Sequence, residues 1–536
     1  MAAPLQTVQA TSNLFVSSAR LDRLTGSLRG ALETVIVHPS ARRVNRPTLG
    51  EAAAVVVIST VIAAVAFALS DRFPAWLDEA QFIDPAASQL FGDGFSSTAW
   101  PFQTRAEYWA GNAPLYSALL ADWMRAVGFG TVEARSFNYL LAVIAGVLLW
   151  WACCRLGVLR KPTTRLLFVV TFLAGHGVTL DIWSARYDCL AMVLAALCLL
   201  NVTISSQTTR TIGFVVLGAL LPATGIHLLF YIGLMTAVSV LAFRRDAMPA
   251  AGALGAGVAL GMAFLYLLFS TNGVWFKFLV ATAGAQHSVT GQLAQVVVQG
   301  DLRGVQRLVQ FPLAFLEDHS FAVIIAVAAI AFSLTPSNAS SRLRASARLA
   351  IASGVLIPTA LFLAGKFPIY YGWMALAPTA LFVYAWGEEY CDRTRSGWRN
   401  WPLIVTIAAA LVGLPTYVAK AMQLPVTDRN TAIDEIGRRE LRPDDWVYAD
   451  YASYLSARRV ATVVMIPSYA NTFLVPGLPE RENVTALFVS PSTLEAAIER
   501  VGGDWIVSTT PGNLPADTRD NTPRVYRRRV KGGTSQ

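Results

Sequence analysis

Two adjacent carboxylates stand in Ala75-Trp76-Leu77-Asp78-Glu79-Ala80-Gln81, directly after a strongly apolar segment at 51–70. Ionisable groups beside a bilayer are costly to hold and mark functional sites. A carboxylate there can take the proton of an acceptor hydroxyl or hold a metal. Four further segments carry chemistry of matching kind. They are Asn112-Ala113-Pro114-Leu115-Tyr116, Ser184-Ala185-Arg186-Tyr187-Asp188, the single His227, and Gly365-Lys366-Phe367-Pro368-Ile369-Tyr370-Tyr371. Together they bring an acidic pair, a separate Arg-Asp pair, and Lys and His cations. Such a set suits the departure of a phosphate from a lipid-phosphate sugar. The cations stabilise the leaving phosphate while a carboxylate takes the acceptor proton. Arg offers bidentate phosphate contact and Lys a point charge.

Each has a plainer reading. Asp78-Glu79 can be a solvated loop, and Arg186 with Asp188 a structural interfacial ion pair. Lys366 can be a snorkelling anchor, Tyr370-Tyr371 an aromatic belt, and His227 a packed histidine.

The elements that must position these residues are membrane helices. The chain has 536 residues, 54% of them hydrophobic and 14% charged, against about 25% charged in soluble domains. Its apolar segments have the length needed to cross about 30 Å of hydrocarbon. Ten-residue alternating strands, the mark of an outer-membrane barrel, are absent from the sequence. The net charge of +9 sits in clusters between the apolar segments. It therefore reads as topology signals and anionic lipid contact, and a nucleic acid partner is excluded. Cys153, Cys154, Cys189, Cys198 and Cys391 show no zinc-ligand spacing and none lies in the C-terminal polar region. The first 50 residues are mostly polar, so the first apolar segment reads as an uncleaved anchor.

Basic clusters set the expected sidedness. Arg20, Arg23, Arg29, Arg42, Arg43 and Arg46 keep residues 1–50 in the cytoplasm. The segment 51–70 then exits. The next cluster, Arg155, Arg160, Lys161 and Arg165, also belongs inside, so only one of the segments 114–127 and 136–154 spans. The segment 114–127 is short and holds Asp122 and Arg125. It reads as a helix lying along the outer surface of a long external loop, 71–135. The same rule continued to 418 gives about eleven helices, with a second external loop at 271–319. The expected class is a polytopic α-helical membrane protein with its N-terminus cytoplasmic and its C-terminus extracytoplasmic. Residues 51–420 form the membrane domain. Residues 421–536 form a small external α/β domain, with helices at 431–440 and 492–501 and strands at 445–451, 460–465, 485–489 and 505–508.

On these residues the chain resembles the GT-C glycosyltransferases. The branch is that of protein O-mannosyltransferases, lipid A aminoarabinose transferases and rhizobial lipopolysaccharide galacturonosyltransferases. The resemblance covers roughly residues 51–386. Asp78-Glu79 matches the family's acidic pair in the first external loop. Asn112 to Tyr116 matches a His/Asn-Pro-Pro-Leu-Tyr-type segment, with Ala113 in place of the first proline. Arg186 and Asp188 match an Arg and Asp at the outer end of the fourth helix, and Lys366 to Pro378 a Lys-aromatic-Tyr…Pro segment. His227 stands where the family often has Lys. The resemblance implies a GT-C-like fold in a bacterial inner (plasma) membrane. It implies a polyprenyl-phosphate sugar donor and an inverting single displacement onto a glycan, lipid or protein acceptor. Asp78 would be the base, with Glu79 placing the acceptor or a metal. Tyr116, Arg186, Asp188, His227, Lys366 and Tyr370 would bind substrate. Divalent metal use is open, with Asp78 and Glu79 as its ligands if there is one. The rival readings are a transporter or flippase for a lipid-linked saccharide and a non-catalytic scaffold.

Overall fold

A computed structural model describes residues 47–100, 103–243, 248–283, 318–356, 369–394, 400–424, 430–467, 482–508 and 522–529. The first apolar segment is helix α1 (Leu49–Ser70), capped by the Thr48 hydroxyl, which accepts from the Glu51 N–H at 3.1 Å. Two helices follow in the polar stretch, α2 (Leu77–Phe91) and α3 (Pro114–Val127). The second has the bounds expected from the sequence; α2 was not anticipated. Next come α4 (Thr131–Leu156), α5 (Pro162–Leu173), α6 (His176–Trp183) and α7 (Asp188–Val202). They are followed by α8 (Gln207–Thr224), α9 (Ile226–Phe243), α10 (Met248–Thr271), α11 (Trp275–Ala283) and α12 (His319–Ser333). The bundle ends with α13 (Ser341–Ile351, continued as a π-helix over Ala352–Leu356), α14 (Trp373–Thr394), α15 (Trp401–Leu411) and α16 (Leu414–Gln423).

Among the described residues, four helical stretches are long and apolar enough to cross a membrane: Leu49–Ser70, Thr131–Leu156, Gly252–Thr271 and Trp401–Gln423. A fifth arises if α5 and α6, bent by 60° at a short break, count as one span. Asp188–Val202, Tyr231–Val240 and His319–Ser333 are apolar but shorter. The expected eleven spans are thus not all of membrane length.

Two kinds of close approach hold the bundle. In the first, α8 and α10 touch backbone to backbone. A Cβ on Gly218 would stand 2.4 Å from the Leu254 carbonyl, and one on Gly257 2.2 Å from that of Val215. In the second, two helix breaks meet. The α5–α6 break at Ala174-Gly175 lies against the α15–α16 break at Gly413. The Leu414 N–H donates to the Ala174 carbonyl at 3.0 Å. At the Arg165 end of the bundle, Glu51 takes two bonds from Arg165, at 2.5 and 2.6 Å, and one from the Trp150 indole at 2.6 Å. This pair ties α1 to α4 and α5.

The C-terminal part is a five-stranded sheet with order β2-β1-β3-β5-β4. Its strands are β1 (Trp446–Ala449), β2 (Val463–Met465), β3 (Ala486–Val489), β4 (Trp505–Val507) and β5 (Arg524–Arg528). Strand β1 pairs in parallel with β2 and β3, while β5 is antiparallel to β3 and β4. Around it lie α17 (Asn430–Glu440), α18 (Tyr454–Arg458) and α19 (Leu494–Val501). The expected helices and strands are present; β5 and α18 are additions. Tyr448, Val463, Leu487, Val489 and Tyr526 form a core of their own with Ala497 and Val501 from α19.

Candidate active site

Asp78 and Glu79 occupy the first turn of α2, where the exposed N–H groups favour negative charge. The two side chains part company there. Glu79 is fully buried. Arg135, in the first turns of α4, grips it from Nε to Oε1 at 2.8 Å and from Nη2 to Oε2 at 2.7 Å. The Ala185 N–H donates to Oε1 at 2.8 Å. Arg135 also donates to the Phe73 and Pro74 carbonyls at 2.8 and 3.3 Å, closing the turn between α1 and α2. Asp78 keeps 23% of its side chain exposed and pairs with Arg186 Nη1 at 3.1 Å.

Arg186 lies in the short link between α6 and α7, its side chain only 1% exposed. Its Nη2 pairs with Asp188 Oδ2 at 3.2 Å, and its guanidinium sits 3.4 Å from the centre of the Tyr370 ring. Trp76 adds a second ring at 5.3 Å. Cation–π contacts of this kind gain strength where the cation is desolvated. Asp188 is buried and accepts from the Trp373 indole at 3.4 Å. The Tyr187 and Tyr371 hydroxyls bond each other at 2.9 Å. Asp78, Arg186 and Asp188 thus form an acid–cation–acid row with its open end at Asp78.

Asn138 explains how the link keeps its shape. Its amide donates to the carbonyls of Asp181 at 3.1 Å and Arg186 at 2.7 Å, and also to that of Ser184. Its oxygen accepts from Tyr116 at 3.0 Å. Phe82, one turn beyond Asp78 on α2, meets Tyr187 edge-on at 4.9 Å.

The structure therefore brings together Asp78, Arg186, Asp188 and Tyr370, and engages Glu79 and Tyr116 elsewhere. Both Glu79 oxygens are taken, by Arg135 and by the Ala185 N–H, and these bonds fasten the loop. Tyr116 is fully buried with its hydroxyl on Asn138, so it braces the link. Burial pushes its phenol well above the ordinary range, with Cys189, Glu79 and Asp188 adding to the rise, so it stays a neutral donor. Because Asp78 and Glu79 are engaged by different arginines, the pair as folded does not fit a metal centre. Among the described residues no group of three His, Cys, Asp or Glu side chains is placed to hold one. His227 lies in the first turn of α9, but its side chain is outside the described residues, as is Lys366.

Next to Asp188, between α4, α5, α7, α9, α13 and α14, lies a small apolar cavity of about 30 Å³. Leu149, Phe168, Met192, Leu199, Tyr231 and Trp373 are among its walls. Trp373 belongs to both regions: its ring lines the cavity and its N–H reaches Asp188.

No family model and no curated protein sequence matches the chain. Solved structures do. ArnT from Cupriavidus metallidurans, in its apo state, is 13% identical over 88% of this chain and 97% of that chain, with a TM-score of 0.44. The Archaeoglobus fulgidus oligosaccharyltransferase in its apo form is 11% identical over 84% of this chain and 71% of that one, with a TM-score of 0.47. The same enzyme in complex with Zn and sulfate gives 10%, 82%, 68% and 0.46. A likeness this distant assigns neither a family nor an activity to the chain.

Proposed function

We propose that the protein is a membrane glycosyltransferase that moves a sugar from a polyprenyl-phosphate donor to an extracytoplasmic glycan, lipid or protein acceptor. The observation that carries this reading is the Asp78–Arg186–Asp188 row. It sets a part-exposed carboxylate on a buried cation at the end of an apolar bundle. The acceptor oxygen attacks the anomeric carbon as the bond from that carbon to the phosphate oxygen breaks. The acceptor proton passes to Asp78, and the phosphate leaves with the bonding electrons. One displacement of this kind inverts the anomeric centre. Arg186, fixed by Asp188 and Tyr370, supplies positive charge that needs no reorganisation during the reaction.

One observation favours transport instead. Two helices break where they meet, at Gly175 and Gly413, and interrupted helices mark binding sites in transporters. Against this, Glu51 and Arg165 lock α1 to α5 by a buried bidentate pair at the opposite end of the bundle. A reconstituted transfer assay decides. Purified wild type and Asp78→Asn are given radiolabelled polyprenyl-phosphate sugars and envelope extract. Label passing to an extract component with wild type alone supports the transferase. Label crossing the bilayer still attached to its lipid, with no transfer, supports the transporter.

A further inference from the structure

The external helix that carries Asp78 has a weak point. Pro85 lies inside α2 and has no N–H, so the Gln81 carbonyl loses its helical donor and the helix can bend there. The preceding residue, Asp84, is fully buried, and its two oxygens look in different directions. Oδ2 accepts from the Ser97 hydroxyl at 2.7 Å and from the Thr98 and Ala99 N–H groups at 2.6 and 3.0 Å. That fixes the return of the external loop. Oδ1 accepts from the Tyr454 hydroxyl on α18, with Arg458 Nε at 4.0 Å. Arg458 then runs along α2. Its Nη2 donates to Asp93 at 2.7 Å and meets Ser88 Oγ at 3.5 Å, and its guanidinium lies 5.3 Å from the Phe91 ring centre. The C-terminal domain thus holds α2 on both sides of the proline. Asp450, at the end of β1, presents α18 by accepting from the Ser453 N–H at 2.9 Å and the Ser490 N–H at 2.8 Å.

We propose that Tyr454 and Arg458 are positioning residues for Asp78. The C-terminal domain splints α2 across Pro85 and so sets where the acceptor base stands. This rests on the reading of Asp78 as that base. Glu79 with Arg135, and the Phe82 carbonyl with the Ser117 hydroxyl at 2.9 Å, anchor the half of the helix before Pro85; the half beyond the break takes its direction from the splint. Six residues of helix, about 9 Å of rise, separate Asp84 from Asp78. A small tilt at the splint therefore moves the carboxylate, and misplacement by about 1 Å can cost about a hundredfold in rate.

The test uses the full-length chain in lipid nanodiscs, with amide hydrogen exchange over residues 77–91 read beside transfer kinetics. Tyr454→Phe removes one hydroxyl; Arg458→Gln removes the splint's charge. Both are expected to raise exchange over 77–91 about tenfold and to lower kcat about tenfold while KM moves less than about twofold. Arg458→Lys should recover part of kcat. Asp445→Asn loosens the sheet at its bonds to Arg527 and Thr485, away from α2, and should change neither readout. Unchanged exchange over 77–91 in a folded Tyr454→Phe chain overturns the proposal. So does an equal loss of kcat in Asp445→Asn. Faster exchange in the splint variants, with no transfer even from wild type, would uphold the splint on α2 but overturn the positioning of a base, and sink the transferase reading.

Discussion

Replacing Asp78 by Asn removes the proposed proton acceptor but leaves an oxygen that can still accept from Arg186. Transfer should fall by about 10²–10⁴, the usual contribution of a general base, while thermal unfolding of the purified protein moves little. Glu79→Gln should behave the other way round. It strips one charge from a pair that is 0% and 1% exposed, and breaking such a pair costs about 3–5 kcal/mol. A Glu79→Gln chain that melts like wild type would refute the fastening role. The sequence made the acidic pair conspicuous but not the division of labour within it. That division depends on Arg135, 56 positions away, and no local pattern couples the two. Arg135 and Asn138 did carry a signal, since both are polar residues entering an apolar helix, where such groups are costly. Trp373 carried none: an aromatic at a helix start reads as an interface anchor.

At the level of helices, Pro114–Val127 was legible because its apolar residues recur at helical spacing behind a leading proline. Helix α2 was hidden by its internal proline, Pro85. Neither helix break was anticipated, although Gly413-Leu414-Pro415 marks the second one; the first is fixed by packing against it. A Cβ on Gly413 would stand 1.9 Å from the Ala174 carbonyl. Gly413→Ala should therefore force the two breaks apart and destabilise the bundle by about 1–3 kcal/mol, the usual cost of overpacking, read as a lower melting temperature. The docking of α11 should depend on pH. Burial raises the Glu107 carboxyl, but Lys277, at 2.6 Å, and the Thr104 N–H outweigh it and hold its pKa below the ordinary value. A carboxyl lowered in the folded state stabilises docking above its unfolded value, about 4.3. That support is lost as pH falls through the lower folded value. Trp275 fluorescence should report undocking in that acid window. Glu107→Gln should remove the step, and a step that survives the substitution would exclude this pair as its cause.

For the whole molecule, the proposed sidedness makes a direct prediction. Asp122, 68% exposed on α3, and the exposed Thr208 at the start of α8 should lie on opposite faces. In sealed cells, a membrane-impermeant maleimide should label Asp122→Cys, but Thr208→Cys only after permeabilisation. The unmodified chain gives the background, and its four described cysteines are buried. Equal labelling of both sites in sealed cells would overturn the topology. The sheet of the C-terminal region was mostly legible from alternating apolar runs. Strand β5, Arg-Val-Tyr-Arg-Arg, escaped because three of its five residues are arginine. Of these, Arg527 reaches Asp445 and the Glu440 carbonyl.

The bond between Glu51 and Arg165 also has a history within each molecule. The two residues are 114 positions apart, and synthesis runs at about 5–20 residues per second. Glu51 is therefore made roughly 6–23 seconds before its partner exists. Throughout that interval the first helix carries an acid at its end with no arginine to neutralise it. The nascent chain must hold that end at the aqueous edge, and α1 can settle to its final depth only once α5 arrives.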